Sequence, residues 1–420
     1  MVDRPTDFCT RRSLAVLAAM AMTLLPLTPV LAGPNEQATR LFERLTGAPP
    51  SPAVLTQMAS DISSGNTTAA ANLAINDPGH NFYDVTIRNF AQPMSNKPQS
   101  LFVPLNDYTA TIIGMVRDNV PFNTVLSADL IYVGSTQGLT AAQQAELQMQ
   151  GGLPPYAYNN DNQYEALDSV NADVAAVIEP EAQSTVTGIP SSATAGVLTT
   201  YAGASAYFFA GTNRAMVRFS MMDYLCDDLD TIEDITRPPD RIRQDPSRSP
   251  GGDSRTFLTQ CIGCHSGMDA LAGAFAYYNF VPTCSPLASC PTYDIPGEMV
   301  YTPGQVQQKY AINTGNFPQG YVTTDDSWIN HWRSGPNSVL GWSASLPGDG
   351  NGAKSFGEEL ENSQQFATCQ ATKAFTAMCL RPPSNAADNA EVAQITSDFV
   401  SSNYNLKTAF AESAVYCMGQ

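Results

Sequence analysis

Histidine is nearly missing from this chain, with three residues in 420. Zinc needs a second ligand pair at fixed spacing, and His80 and His331 are single and distant, so a zinc centre is disfavoured. Positive charge is scarce as well: 21 Lys and Arg stand against 39 Asp and Glu, a formal net charge of −18. Such a surface argues against nucleic acid or an anionic membrane as partner. It fits a basic protein partner, and serves solubility equally well. Long apolar runs are absent apart from Leu14 to Leu25, so no other stretch is suited to crossing a bilayer.

That one run has the setting of an export signal. Arg4, Arg11 and Arg12 precede it, Thr23 is its one polar residue, and Pro26 and Pro29 break the chain after it. Val30-Leu31-Ala32 then offers small residues at a cleavage point before Gly33. An uncleaved anchor is the alternative, although the run is short for a span. Thr10-Arg11-Arg12-Ser13-Leu14 hints at a twin-arginine signal, but that route carries folded cargo. The general secretory path is the expected one. Loss of residues 1–32 removes three arginines and two aspartates and moves the net charge from −18 to −19. The expected product is periplasmic or secreted, with no membrane span.

Compartment matters because of Cys261-Ile262-Gly263-Cys264-His265. Two cysteines separated by two residues and followed at once by histidine form the attachment pattern of a c-type haem. The thiols add across the haem vinyl groups, and the adjacent imidazole becomes the proximal iron ligand. Histidine scarcity leaves carboxylates such as Asp107, Asp223 and Asp227 as acid–base groups, but acidic residues are common and a solvated surface is the expected place for them.

Six cysteines remain beyond the leader and the motif: Cys226, Cys284, Cys290, Cys369, Cys379 and Cys417. An even number in an oxidising compartment reads as up to three disulfides. Cys284 and Cys290 flank a short loop that can close locally. Cys369 and Cys379 share one predicted helix about 15 Å apart along its axis, beyond disulfide reach. Each must look elsewhere, so the C-terminal helices should be tied to each other and to the segment before the motif.

Helical periodicity covers 36–47, 52–63 and 104–118, punctuated by Pro49-Pro50, Gly65-Asn66 and Pro121. Thr140 to Met149 reads as a helix, Gly151 to Pro190 as loops with short helices, and Ala195 to Leu225 as a buried helix pair. Residues 237–254 form a polar connector into the motif. Beyond it, Met268, Leu271, Phe275 and Tyr278 predict a helix whose apolar stripe faces the porphyrin. Residues 281–350 read as loop with short elements, Gly348 to Gly352 as a sharp turn, and 355–380 and 388–416 as helices. The pattern is mainly α: an irregular multi-helix architecture with a cytochrome c-like haem region (246–347) between N-terminal (33–245) and C-terminal (348–420) helical regions.

Function turns on the sixth iron ligand, since an electron carrier fills both axial positions and a catalyst leaves one open. Met299, in Gly297-Glu298-Met299, is the expected distal ligand, with His331 as the alternative. Met268 is too close to the proximal histidine to serve. Arg214 and Arg218 could pair with the haem propionates, because guanidinium forks match carboxylates.

The chain resembles a family of exported proteins, frequent in planctomycetes and proteobacteria, in which domains of unknown function surround a single c-type haem motif. The residues that carry this likeness are Asn106-Asp107-Tyr108-Thr109, Ala195-Gly196-Val197-Leu198-Thr199-Thr200, Thr212-Asn213-Arg214, Leu225-Cys226, the motif with Met268-Asp269, and Glu359-Leu360 through Phe366-Ala367-Thr368-Cys369. Ala270-Leu271-Ala272-Gly273 departs from it, standing where a Pro-x-Gly turn is common. The resemblance implies one covalent haem c and no particular reaction. Three functions follow as expectations: an electron carrier with a protein redox partner, an oxidoreductase acting on a peroxide or small organic substrate, or a binding module in which haem supports the fold. A two-haem peroxidase would need a second such motif.

Overall fold

Alternating capping residues and helical apolar stripes make this chain mainly helical. The structure, a computed structural model, describes residues 32–243, 259, 261–311 and 320–419. Residues 1–31 of the expected leader and 244–254 of the polar connector lie outside the described residues. Helix α1 (Pro34–Thr46) starts with proline in its first turn, ends at Gly47 with φ 70°, and buries Ala38, Leu41, Phe42 and Leu45. Ser51 caps α2 (Pro52–Ser63) by accepting the Val54 amide, and α3 (Thr67–Ile75) follows. Asn106 caps α4 (Asp107–Arg117), which is buried along most of its length. Thr140 and Gln143 form a reciprocal capping box at α5 (Ala141–Met149), and α6 (Asn162–Ser169) comes next.

The apolar stretch from Ala195 to Leu225 forms α7 (Tyr201–Tyr207) and α8 (Arg214–Ser220), the latter running into a π-helical turn, Met221–Leu225. The haem-type motif opens α9 (Ile262–Ala272). This helix is shorter than its apolar stripe predicts. The Ser327 carbonyl lies 2.1 Å from where a Cβ on Gly273 would sit, so the crossing backbone of a neighbouring strand is accommodated by a residue without a side chain. The chain then leaves as a single 3-10 turn, and Tyr278 opens a strand.

Among the described residues, three antiparallel two-stranded ladders decorate the helices. Strand β1 (Ile131–Gly134) pairs with β2 (Ile178–Glu181), β3 (Tyr278–Pro282) with β4 (Gly297–Tyr301), and β5 (Ser327–Ile329) with β6 (Asp349–Asn351). Strand β2 lies where sequence predicts only loops and short helices, and β6 where it predicts a sharp turn. Both pair with partners distant in sequence, which local patterning does not register.

The two C-terminal helical stretches are each divided. The first gives α10 (Gly352–Glu361) and α11 (Gln364–Cys379), with Ser363 capping the second by accepting the Phe366 amide. The other gives α12 (Ala386–Ser401) and α13 (Leu406–Cys417), separated by Asn403 and Tyr404 with φ near 60°. Helix α13 packs against α11, α12, α1 and α3, so the end of the chain closes on its beginning. Phe410 meets Phe82 and Phe90 edge to face at 5.7 and 5.5 Å. One continuous apolar core, running from Ala38 to Met418, takes side chains from all three sequence regions.

Disulfides tie this core as the cysteine spacing predicts. Cys284 bonds Cys290 locally, Cys379 on α11 bonds Cys417 on α13, and Cys226 bonds Cys369. The last bridge joins the segment before the motif to α11 across 143 residues of sequence. Replacing Cys226 and Cys369 together by alanine should cost about 2–5 kcal/mol in denaturant unfolding, because a long loop is released in the unfolded chain.

Asp107 and Asp223 are not on a solvated surface. Both are buried, Asp107 accepting the amides of Tyr201 and Ala202 at the start of α7, and Asp223 accepting from Gln99. Glu361 ends α10 and accepts the Leu126 amide at 2.9 Å and the Ser127 hydroxyl. Burial pushes its carboxyl up to about 8, against the lowering effect of those bonds. The unfolded chain deprotonates this group near 4.5. Its contribution to stability is therefore complete at low pH and declines as pH rises from about 4.5 to about 8. Glu361→Gln should flatten that part of the stability–pH curve, read from denaturant midpoints.

Candidate functional site

Cys261 caps the N-terminal end of α9, and Cys264 and His265 sit in its first turn and a half. Both cysteines are unpaired and half-buried, whereas the other described cysteines are all bonded. Cys261 packs with Ile242 and Ile262, and Cys264 faces the Leu229 carbonyl at 3.3 Å. Burial raises the Cys264 thiol above its ordinary pKa, and Glu233, Asp230 and Asp228 push it further, so the sulfur stays protonated at neutral pH.

His265 is oriented by its own helix. Its Nδ1 lies 3.0 Å from Asp269 Oδ1, four residues on, which is the spacing that brings two side chains to one helix face. The Asp269 side chain is 0 % exposed. Burial alone would raise its carboxyl, but the charge and hydrogen bonds of Arg214, with the charge of Arg243, prevail and hold it well below the usual carboxylate range. An ionised Asp269 can only accept, so Nδ1 carries the proton and donates it. Nε2 is then the nitrogen through which His265 would hold a metal.

Asp269 is itself surrounded. Arg214 grips it with Nε at 2.5 Å and Nη2 at 2.8 Å, and the Arg243 backbone amide donates at 3.2 Å. The Arg243 side chain is buried, donates to Thr212 Oγ1 at 2.6 Å and lies over the Tyr310 ring. Asn213, at φ 59°, donates to the carbonyls of Phe275 and Tyr278. Asn213 and Arg214 thus hold the C-terminal half of α9 and the turn that follows it.

This arrangement revises several expectations. Arg214, expected at a propionate, takes the protein's own Asp269. Arg218 pairs with Asp228 on the surface. The apolar stripe beyond the motif belongs to the protein core: Phe275 packs on Phe208 and Phe356, and Tyr278 on Phe208 and Tyr301. Met299 lies on β4 opposite Phe280, in the hairpin beyond the C-terminal end of α9, and its sulfur lies 2.9 Å from the Tyr158 hydroxyl, which donates to the Thr199 carbonyl at 2.7 Å. His331 is closer to the motif. Trp332, beside it, lies against Gly267, and His331 Nε2 meets Asp240 at 3.0 Å. Asp240 belongs to the segment that continues through Ile242, against Cys261, to the Arg243 amide on Asp269. Glu359 anchors the His331 turn by accepting from Asn330 and from both Nε and Nη2 of Arg333.

No known protein family, curated protein or solved structure matches the chain. Among the described residues, no group of three or more His, Cys, Asp or Glu is arranged to hold a metal ion, and no helix is long and apolar enough to cross a membrane. The donor set at the motif instead suits a group that brings its own metal coordination: two unpaired thiols at haem-attachment spacing and one imidazole with a fixed tautomer. Sequence reasoning missed Asp269 as a functional residue. The legible signal was its position, four residues after His265 on a helix that the motif itself opens.

Gly267 is the tight point of this site. A Cβ there would lie 2.1 Å from Trp332 Cε2, and Trp332 is fully buried. Gly267→Ala should destabilise the protein by about 1–3 kcal/mol in thermal or denaturant unfolding, with a change in tryptophan emission, because a packed indole must shift.

Proposed function

We propose that the chain is an exported, cytochrome-like electron carrier that binds one haem covalently through Cys261 and Cys264 and ligates it through His265. The observation that carries this reading is the state of the cysteines. Three disulfides fit an oxidising compartment, yet the two cysteines of the motif stay unpaired beside an oriented imidazole. The bound haem would supply a one-electron iron couple. The protein's residues would anchor it by two thioethers, fix the proximal nitrogen through Asp269, and keep the Cys264 thiol neutral before attachment. A reduced protein partner gives up one electron and an oxidised one receives it; the acidic surface suits partners of basic charge. His331, whose turn rests on α9 through Trp332 and Gly267, is preferred as distal ligand to Met299, which lies on the hairpin beyond the C-terminal end of α9.

A second reading, an oxidoreductase with an open distal position, is favoured by the His265–Asp269 pair, because a carboxylate behind the proximal histidine strengthens it as a donor. Its substrate would be a peroxide or a small organic molecule.

Intact mass of protein matured by its native export machinery should carry the added mass of one porphyrin, lost when Cys261 and Cys264 are both replaced by alanine. For a carrier, carbon monoxide should leave the reduced spectrum unchanged, and His331→Ala should abolish the low-spin signature while Met299→Ala leaves it. Ready carbon monoxide binding by the unaltered protein would move the assignment to the open-site reading. Absence of the porphyrin mass would remove both.

A further inference from the structure

Resting on the haem reading, we propose that Asp269 is a positioning residue that makes His265 an unusually strong donor to iron and so biases the site toward the ferric state. The geometry carries it. Asp269 follows His265 by one helical turn, its carboxylate is wholly buried, and its Oδ1 accepts the Nδ1 proton at 3.0 Å. A backbone carbonyl in that place would only orient the ring. A buried anion also draws the Nδ1 proton toward itself and leaves the imidazole partly imidazolate in character. That electron density stabilises Fe(III) more than Fe(II), since the ferric ion carries the larger charge. Ligand basicity of this kind is one of the levers by which a protein sets a haem potential.

The surrounding groups show how the carboxylate is maintained. The Arg214 fork and the Arg243 amide bind the same carboxylate, which is closed to solvent, and compete with His265 for its lone pairs. Arg214 therefore moderates the effect of Asp269 on His265 rather than serving a propionate. Such a site, reduced with difficulty, needs a strongly reducing one-electron protein as donor: one electron leaves the donor, one converts Fe(III) to Fe(II), and no proton is exchanged.

The test uses the full haem-loaded protein, enriched in iron-57 and matured by its export machinery. The iron–histidine vibration, read by nuclear resonance vibrational spectroscopy, is expected above that of a c-type reference whose proximal histidine donates to a carbonyl. In Asp269→Asn, that vibration should fall, and the reduction equilibrium should shift about tenfold toward Fe(II), ~59 mV for one electron. Asp269→Glu, which keeps the charge, should hold both values near those of the unaltered protein. A vibration at the ordinary position in the unaltered protein overturns the proposal. So does a potential shift in Asp269→Asn with the vibration unchanged, which would mark a through-space charge effect alone. If Asp269→Asn does not fold, the vibration of the unaltered protein decides. If that protein carries no haem, the haem reading itself has failed and this proposal goes with it.

Discussion

Asp269 is the point at which the burial of one charge organises everything near the motif. A carboxylate removed from water is costly, and breaking a buried pair by removing one partner costs about 3–5 kcal/mol. Here the charge is met from three directions: the Arg214 fork from α8, the Arg243 amide from the segment before the motif, and the His265 ring from α9 itself. These contacts also decide which ring nitrogen of His265 holds a proton. One residue thereby couples fold and chemistry, since the groups that make the buried anion tolerable are those that aim the imidazole.

The rest of the architecture keeps that node from moving. Asn213 holds the C-terminal end of α9 through the Phe275 and Tyr278 carbonyls, one residue before Arg214 grips Asp269. The π-helical turn after α8 ends at Cys226, whose disulfide to Cys369 fastens the same helix to α11. On the other side, the indole of Trp332 rests on Gly267, and the Arg333–Glu359 pair fixes its turn to α10. The motif is thus held by one covalent tie, one buried ion-pair network and one close backbone approach. Each resists a different displacement: separation of helices, rotation of α9, and sliding of the turn.

Helices were legible in the sequence wherever an apolar stripe ended at proline or glycine, as at 52–63 before Gly65 and 104–118 before Pro121, and the structure adds their caps, Ser51 and Asn106. The disulfide framework was also legible, because helix rise forbids a bond between Cys369 and Cys379. Strands β2 and β6 were not, since each is short and exists through a partner remote in sequence. The length of α9 was overestimated because periodicity continues through Phe275 and Tyr278 after the backbone has left the helix. Asp107 and Asp223 read as surface carboxylates because nothing local distinguishes a buried acid from a solvated one. The patches on which the resemblance rests have no visible connection in the sequence. In space they meet in pairs: Asp107 at the start of α7 after Thr200, Arg214 on Asp269, and Cys226 on Cys369. Such pairings depend on three-dimensional contacts and leave no mark on periodicity.

Every histidine in this acidic chain is partnered by an aspartate: His80 by Asp173 at 2.6 Å, His265 by Asp269 at 3.0 Å and His331 by Asp240 at 3.0 Å. Distance does not distinguish them; surroundings do. The Asp173 and Asp240 side chains are 36 % and 62 % exposed, so water screens them and their pull on the ring is weak. Asp269 is 0 % exposed, where the effective dielectric is lower and the same contact acts more strongly on the imidazole. An excess of carboxylates would supply an acid to any histidine by chance. Burying one among arginines requires specific neighbours on α8 and in the segment before the motif, and only the histidine that follows the two motif cysteines has them.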